Sequence, residues 1–274
     1  MIYSRPSSIQ ISDADYLTLY GSAAKAKKRL YNIGAGTWIQ DFWTNIDLPP
    51  QTEAFAKIQA PCIHHDLTTQ AALPIETGTV DAFYCSHVVE HLPDDTVLKL
   101  MAEAFRCLDK GGVFRIVTGP CADLDWDALM RKDSDWWYWF SDTNLNKTVK
   151  KDMRLMSIYD QWLYSVATPR SPWSESACEK KYDSDEIRAL VEANISDPYK
   201  LLDRLTDSLQ FDYACAGNHM SWWNATKLQE YLRKAGFSNV RISGYGQSTL
   251  KLMRDLAYFD QTYPQISVYV EALK

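Results

Sequence analysis

The sequence predicts an α/β fold with a largely parallel sheet. In the N-terminal part of the chain, short apolar runs that end in glycine or polar residues alternate with helical or loop crossovers. This alternation is typical of parallel strands joined by crossovers. The pattern stops near Pro120 and returns near Asn224. Because 274 residues suffice for one large domain with a sizeable insertion, we predict an α/β core that is interrupted once.

The N-terminal part of the core is predicted to hold five strands and one helix. The first strand, "RLYNIGAG", is a short apolar run that ends in glycines, as a buried strand does before a tight turn. The helix covers residues 94–109, where apolar residues recur at helical spacing, with Asp94 as its cap and Gly111 at its end. The predicted strands are 29–36, 42–48, 60–67, 79–86 and 112–119.

The C-terminal part of the core is predicted to hold one helix and two strands. The helix, residues 226–237, is expected to begin with a capping box formed by Thr226 and Gln229 and to end at Gly236. The strands that follow are 239–245 and 266–273.

Residues 121–223 are predicted to form an inserted, mostly helical cap. Eight of the ten tryptophans lie between Trp126 and Trp223, so this segment has apolar side chains of its own to pack. The pattern of residues 186–195, for example, is helical. The predicted domains are therefore a first core part, the cap and a last core part, with bounds of 1–120 (including an N-terminal extension, 1–28), 121–223 and 224–274.

Composition narrows the class of protein and its partners. The net charge of −6 argues against a nucleic-acid partner, because phosphate binding needs a basic face. No apolar run reaches the roughly 20 residues of a membrane span, and the N-terminus lacks the apolar core of a signal peptide. Six scattered cysteines without a C-x-x-C pair indicate reduced thiols and a cytoplasmic location. The oligomeric state stays open.

The stretch "CSHVVEHLP" contains the spacing of one class of zinc peptidase, H-x-x-E-H, at His87, Glu90 and His91. Two histidines share one zinc in that motif when an uninterrupted helix puts them on one face. Here the motif follows a predicted strand directly and is closed by Pro93. We therefore expect no metal site, and keep a zinc hydrolase as a remote alternative.

Polar residues that end the predicted strands indicate a ligand site, because open α/β sheets bind ligands at the carboxyl ends of their strands. Gly34-Ala35-Gly36 lets a ligand approach the backbone closely. The crossover that follows is too short for the helix that holds a pyrophosphate. Asp47 is placed to accept hydrogen bonds from ribose hydroxyls, and Asp66 from an adenine amino group, with the Leu67 N–H beside the ring. A nucleoside cofactor without phosphate is the expected ligand.

Several segments together resemble the class I S-adenosylmethionine-dependent methyltransferases, in particular the kind that acts on small molecules. "LYNIGAG", "NID" and "HDL" are similar to the family's motifs on the first three strands. The segment from Leu73 to Gly119 resembles its central signature, and "HMSWWNATKLQEYLRKAGFSNVRI" and "ISVYVEALK" resemble its last helix and strands. The resemblance covers residues 29–119 and 219–274. Two features depart from the family: the short first crossover, and "TGPCADLD" after the fifth strand in place of Pro-Asp.

The resemblance implies a Rossmann-like, seven-stranded, mostly parallel sheet whose last strand is antiparallel, with the inserted cap added. It also implies S-adenosyl-L-methionine as cofactor, lying across the ends of the first strands. The cofactor-binding residues expected on this basis are Asn32, Gly34, Ala35, Gly36, Asp47, Asp66, Leu67 and Ser86.

His87 and His219 are the candidate catalytic residues. Methyl transfer to a hydroxyl needs alignment and removal of a proton, and imidazole can accept a proton near neutral pH. His87 directly follows the fourth strand, and its non-catalytic alternative is a hydrogen bond to a neighbouring loop. His219 precedes the last helix, where the cap rejoins the core. His91 is expected to brace a helix start, while Glu90 either orients a histidine or is solvated.

Two other groups of residues have competing interpretations. His64 and His65, in or near the third strand, are expected to be structural. A basic cluster would meet either a phosphorylated acceptor or solvent on a helix face; it consists of Lys147, Lys150, Lys151 and Arg154.

The sequence thus predicts a methyltransferase that acts on a polar small molecule. On the resemblance alone, the acceptor is a hydroxyl of a sugar or of a cell-surface polysaccharide precursor, or a phosphorylated metabolite. The alternative is a regulatory protein that binds S-adenosylmethionine without catalysis.

Overall fold

The computed structural model describes most of the chain. The described residues are 29–38, 40, 43–50, 62–70, 72–141 and 155–274. The predicted N-terminal extension, 1–28, and the basic cluster of Lys147, Lys150, Lys151 and Arg154 lie outside them.

Seven strands form one sheet in the order β3-β2-β1-β4-β5-β7-β6. Neighbouring strands pair in parallel for β1 with β2 and β4, β2 with β3, and β4 with β5, whereas β6 and β7 pair antiparallel. The strands are β1 (Leu30–Ile33), β2 (Trp43–Asp47), β3 (Cys62–His64), β4 (Val80–Ser86), β5 (Leu108–Thr118), β6 (Asn239–Ile242) and β7 (Val268–Leu273). The predicted fold class, mostly parallel with the last strand antiparallel, is confirmed.

The central strands are covered on both faces, as parallel sheets usually are. Five of the seven residues of β4 are buried, and β5 is buried from Val113 to its end. The edge strands differ, since β6 is mostly exposed and β3 ends in the exposed His64. The site therefore rests on the buried centre of the sheet made by β1 and β4.

The first helix, α1 (Asp94–Cys107), and the strand after it have other bounds than predicted. Asp94 is the first helical residue and not the cap before it. Strand β5 begins at Leu108 because that residue pairs with Val80, and the register then shifts so that Val113 pairs with Ala82. Gly111, with φ of 82°, lies in the resulting bulge and donates its N–H to the Lys274 carbonyl at 2.8 Å. The prediction that Gly111 ends the helix was wrong.

The last helix, α6 (Ala225–Lys234), begins one residue before Thr226. Thr226 therefore lies inside the helix, and the predicted capping box with Gln229 was wrong. Gln229 instead donates from Nε2 to the carbonyl of Val240 at 3.4 Å. The predicted end is found, since Gly236 follows the helix with φ of 113°, a conformation that favours glycine.

The chain divides into two compact units. The first unit, which contains the sheet, comprises the described residues up to Val88, together with Asp95–Val117 and Ala225–Lys274. The second unit comprises Val89–Asp94 and Thr118–Asn224. Its helices are α2 (Ala122–Arg131), α3 (Ile158–Val166), α4 (Ser184–Ala193) and α5 (Pro198–Thr206).

Local capping and aromatic packing explain the helices of the second unit. Ser157 with Asp160 and Asp183 with Glu186 form capping boxes at the starts of α3 and α4. Trp162 is fully buried, and its ring packs edge-on at 5.6 Å from another tryptophan ring of the unit. The tryptophans of this segment thus supply much of its core.

Asp125 of α2 is a fully buried carboxylate in the second unit. It accepts hydrogen bonds from the Ser165 hydroxyl at 2.6 Å and from Nε1 of Trp136 at 2.7 Å. Burial raises the pKa of Asp125 to about 6, against the effect of these donors. The group therefore changes charge within an accessible pH range.

The described ranges hold neither a membrane-spanning helix nor a disulfide. None of the helices there is long and apolar enough to cross a membrane. All six cysteines lie in the described part of the chain and are thiols outside any disulfide.

Candidate functional site

A glycine turn follows β1 and is held by the end of β2. Gly34 and Gly36 have φ values of 65° and 55°, in the left-handed region. The Gly34 N–H donates to the carbonyl of Ile46 at 2.8 Å, and the Gly36 N–H donates to Oδ2 of Asp47 at 2.6 Å. Because β1 and β2 are parallel neighbours, their carboxyl ends bring the turn and this carboxylate together.

The two glycines are needed for different reasons. A Cβ on Gly34 would lie 2.2 Å from Cγ2 of Val88, so this glycine permits close packing on that side chain. The expectation that Gly34 also lets a ligand approach the backbone stays a prediction. A Cβ on Gly36 would have no described atom within 4 Å. The open side of the turn lies at Gly36.

Asp47 connects the turn to the strand end. Its Oδ1 accepts the N–H of Leu48 at 2.7 Å, while Oδ2 accepts that of Gly36. Each carboxylate oxygen can accept more than one hydrogen bond. The bonds that fix the carboxylate are thus compatible with further donors such as a pair of ribose hydroxyls.

Asp66 shapes the turn that follows β3. Its Oδ1 accepts from the Thr68 N–H at 2.9 Å and from the Thr68 hydroxyl at 2.6 Å. The backbone N–H of Asp66 donates to Oε1 of Gln70 at 3.0 Å. His65 is buried and bonds through Nε2 to the Gln70 carbonyl at 3.0 Å. Leu67 lies half-buried within this turn.

The remaining residues of the predicted cofactor set lie in or beside the sheet. Asn32 of β1 is buried beside Asn45 of β2 and Tyr84 of β4. Ala35 is buried between the two glycines of the turn. Ser86 ends β4 and is half-buried.

His87 is the first residue after β4 and is anchored at both backbone and ring. It has φ of 54°, and its N–H donates to the Val117 carbonyl at 2.8 Å. Nε2 lies 3.0 Å from the carbonyl oxygen of Thr262 and 2.9 Å from the Ser267 hydroxyl. A carbonyl oxygen only accepts, so Nε2 carries the proton and Nδ1 is the basic nitrogen of the neutral ring. The contact with a neighbouring loop, the non-catalytic alternative, is therefore present.

The peptidase-like motif does not form one helix. Strand β4 ends at Ser86, His87 is left-handed, and a 3₁₀ turn covers Val89–His91. The continuous helix that would place His87 and His91 on one face is absent from this described segment.

Glu90 and His91 instead join His219 in the second unit. Glu90 is 2% exposed and accepts the Thr118 hydroxyl at 2.7 Å, so the solvated interpretation of Glu90 was wrong. The rings of His91 and His219 lie 5.0 Å apart. His91 bonds through Nδ1 to the carbonyl of Asn218 at 3.1 Å. It thus braces the chain next to His219, whereas the sequence interpretation placed it at a helix start.

The comparison with protein families identifies a domain in the first part of the sheet. Residues 34–116, from the glycine turn through β5, match the family described as "Methyltransferase domain". The match covers less than half of the chain and identifies this part of the sheet as a methyltransferase domain. To that extent the prediction of a methyltransferase domain with S-adenosylmethionine as its cofactor is confirmed.

Solved structures and curated proteins add little to this assignment. The methyltransferase is similar to one from Archaeoglobus fulgidus (12% identity, 94% of this chain and 91% of that one, TM-score 0.41). It is also similar to one from Mesorhizobium loti (15% identity, 93% and 97%, TM-score 0.42). Likenesses this weak carry no argument of their own, and the search of curated proteins found no match.

The association of Glu90 and His91 with His219 is the feature of the methyltransferase that sequence reasoning missed. The adjacent Glu90 and His91 are visible in the sequence as part of the peptidase-like motif, but their partner comes from a distant segment. Each of the three side chains has one nitrogen or oxygen atom that could bind a metal ion, and these three atoms all lie within 4.8 Å of one another.

Proposed function

We propose that this methyltransferase moves a methyl group from S-adenosylmethionine to a polar small molecule. In the simplest case the acceptor is a hydroxyl of a sugar or of a cell-surface polysaccharide precursor. The observation that carries the proposal is the Gly36 N–H held by the Asp47 carboxylate at the ends of two parallel strands. That arrangement places a charged acceptor beside a turn whose open side a ligand can approach.

The residues at the strand ends fit the nucleoside part of this donor. A ribose needs an acceptor for two hydroxyls, and Asp47 can provide it without giving up its backbone bonds. The space at Gly36, which a side chain would fill, suits a ligand that lies against the backbone. The adenine is assigned to the turn with Asp66 and Leu67. The full set proposed to line the donor is Asn32, Gly34, Ala35, Gly36, Asp47, Asp66, Leu67 and Ser86.

Methyl transfer to a hydroxyl requires the protein to align the two reactants and to provide one proton acceptor. Bound S-adenosylmethionine supplies a methyl group on a positively charged sulfur. A nucleophile attacks the methyl carbon in line with the carbon–sulfur bond, and the sulfur leaves as a neutral thioether. Holding the reactants in line lowers the barrier. An attacking hydroxyl must also lose its proton, and a positioned imidazole contributes about 10²–10⁴ in rate. Nδ1 of His87 and Nε2 of His219 are the nitrogens assigned to this task.

The proposed partners and location follow from composition and resemblance. The net charge of −6 disfavours a polyanion such as nucleic acid. A small acceptor, a sugar or a phosphorylated metabolite, and a cytoplasmic location complete the proposal.

One observation favours a second candidate function, a protein that binds S-adenosylmethionine without catalysis. The ring of His87 is fixed through Nε2 to Thr262 and Ser267, as expected of a residue that positions a loop. If neither imidazole serves as a base, the same donor site would act as a sensor of the cofactor.

Mass spectrometry of the purified chain tests the proposal first. It should detect bound S-adenosylmethionine or S-adenosylhomocysteine, and the Asp47→Ala variant should lose it. A screen with isotopically labelled donor against nucleotide sugars and phosphorylated metabolites should then show labelled product. Binding without transfer to any acceptor in the screen supports the sensor, whereas absence of donor binding rejects both functions.

A further inference from the structure

Two segments of the second unit hold Glu90, His91 and His219 in place. The carbonyl of Glu90 accepts the N–H of Met220 at 2.7 Å and that of Ser221 at 3.2 Å. The Ser221 hydroxyl donates to the Val89 carbonyl at 2.9 Å. These bonds join the 3₁₀ turn to the chain around residue 219, so the three side chains are brought together by backbone geometry.

Both imidazoles are oriented in the same way. Nδ1 of His91 faces the Asn218 carbonyl at 3.1 Å, and Nδ1 of His219 faces the Ser165 carbonyl at 2.5 Å. Because a carbonyl oxygen only accepts, each Nδ1 donates its proton, and the lone pair of each neutral ring is on Nε2. An imidazole that donates one N–H to a carbonyl is oriented as metal-ligating histidines are.

The third member of the cluster is a carboxyl group in a buried place. Glu90 is 2% exposed, and the Thr118 hydroxyl donates to its Oε2. Burying a carboxylate is costly unless a cation or strong donors compensate it. One possible ligand atom from the carboxyl group and one from each imidazole lie within 4.8 Å of one another. Together the three groups can supply three electron-pair donors that one cation would stabilise.

We propose that Glu90, His91 and His219 bind one divalent transition-metal ion, with zinc as the best match. Two nitrogens and one oxygen suit zinc or a neighbouring metal, whereas magnesium and calcium prefer oxygen ligands alone. Around one zinc at ideal distances such atoms lie about 3.3 Å apart. The distances between the three ligand atoms must therefore shorten by up to about 1.5 Å from their limit of 4.8 Å, which rotation of the side chains can achieve.

Three protein ligands leave a coordination position for an oxygen, as in catalytic zinc sites. The ion would bind water or a hydroxyl there and lower its pKa. This inference rests on the geometry of the second unit and not on the proposed methyl transfer. A metal ion bound to Nε2 of His219 would leave Nδ1 of His87 as the base for that reaction. It replaces the expectation of a metal-free protein, which concerned the pairing of His87 with His91 on a helix.

The test uses the full chain, stripped with chelator and reloaded with zinc or cobalt. We expect one bound equivalent by elemental analysis, a higher melting temperature with zinc, and visible absorption bands with cobalt. In the Glu90→Gln variant the shape and the acceptor for Thr118 remain but the charge is lost. His219→Asn keeps a donor for the Ser165 carbonyl and removes Nε2. Both should bind zinc at least about tenfold more weakly, whereas His64→Asn, at an exposed imidazole of β3, should bind like wild type.

Well under one equivalent of zinc after reloading, without cobalt bands, would show the cluster to be a hydrogen-bonded group and overturn the proposal. Unchanged zinc affinity in folded Glu90→Gln protein would do the same, even if His219→Asn failed to fold. Calorimetry with S-adenosylhomocysteine on the same samples separates this result from the donor site, because donor binding and metal binding are read independently.

Discussion

Replacement of Asp47 by alanine should damage both the turn and the donor site. The side chain accepts two backbone N–H groups, from Gly36 at 2.6 Å and from Leu48 at 2.7 Å. Hydrogen bonds to a charged group are worth about 1.5–3 kcal/mol each. Water can replace part of the lost acceptor at this half-buried position, so we expect the free energy of unfolding to fall by about 2 kcal/mol rather than by the sum.

The same substitution removes the acceptor proposed for the ribose hydroxyls. A loss of about 1.5–3 kcal/mol in binding corresponds to roughly ten- to a hundredfold weaker affinity. Asp47→Asn keeps one oxygen acceptor without the charge, and its effect on binding and stability should be intermediate.

Calorimetric titration with S-adenosylhomocysteine and urea unfolding measure the two effects. Asp95→Ala is the matched control, because that exposed aspartate of α1 pairs with Lys99 and should leave donor affinity unchanged. A folded Asp47→Ala protein that binds the ligand as tightly as wild type would refute the role of Asp47 in the donor site.

Three further outcomes are expected. Gly36→Ala should lower stability by about 1–2 kcal/mol, because position 36 has a left-handed backbone, and it should sharply weaken S-adenosylhomocysteine binding. Gly34→Ala should chiefly lower the melting temperature. Equal donor affinity in wild type and Gly36→Ala would contradict this. The contribution of Asp125 to stability should fall as pH rises from about 4 to about 6, because its raised pKa favours the neutral form in the folded state. Asp125→Asn is always neutral, so by urea unfolding it should gain up to about 3 kcal/mol relative to wild type between pH 4 and pH 7, and a pH-independent difference would count against this. His87→Ala should lower kcat about 10²–10⁴-fold with donor affinity little changed, and full activity would exclude His87 as the base.

Local sequence patterns predicted the sheet and its polar strand ends well. Strands β1, β2 and β4 are short apolar runs, and such runs in parallel sheets need little besides burial to be recognised. The same pattern predicts Asp47 as a site residue, because a polar residue at the carboxyl end of a buried parallel strand lies at the ligand-binding edge of the sheet.

Long-range packing accounts for what the sequence did not reveal. The start of β5 at Leu108 depends on its pairing with Val80, and the need for glycine at position 34 depends on Val88. Neither partner can be identified from the local pattern. The approach of His219 to His91 and the burial of Glu90 likewise arise from the fold of the second unit.

A crystal structure of the chain with S-adenosylhomocysteine is the most direct test of the account. We predict both ribose hydroxyls within hydrogen-bonding distance of the Asp47 carboxylate and the ligand in van der Waals contact with the backbone at Gly36. A ligand bound elsewhere, with no ribose hydroxyl bonded to the Asp47 carboxylate, would contradict it.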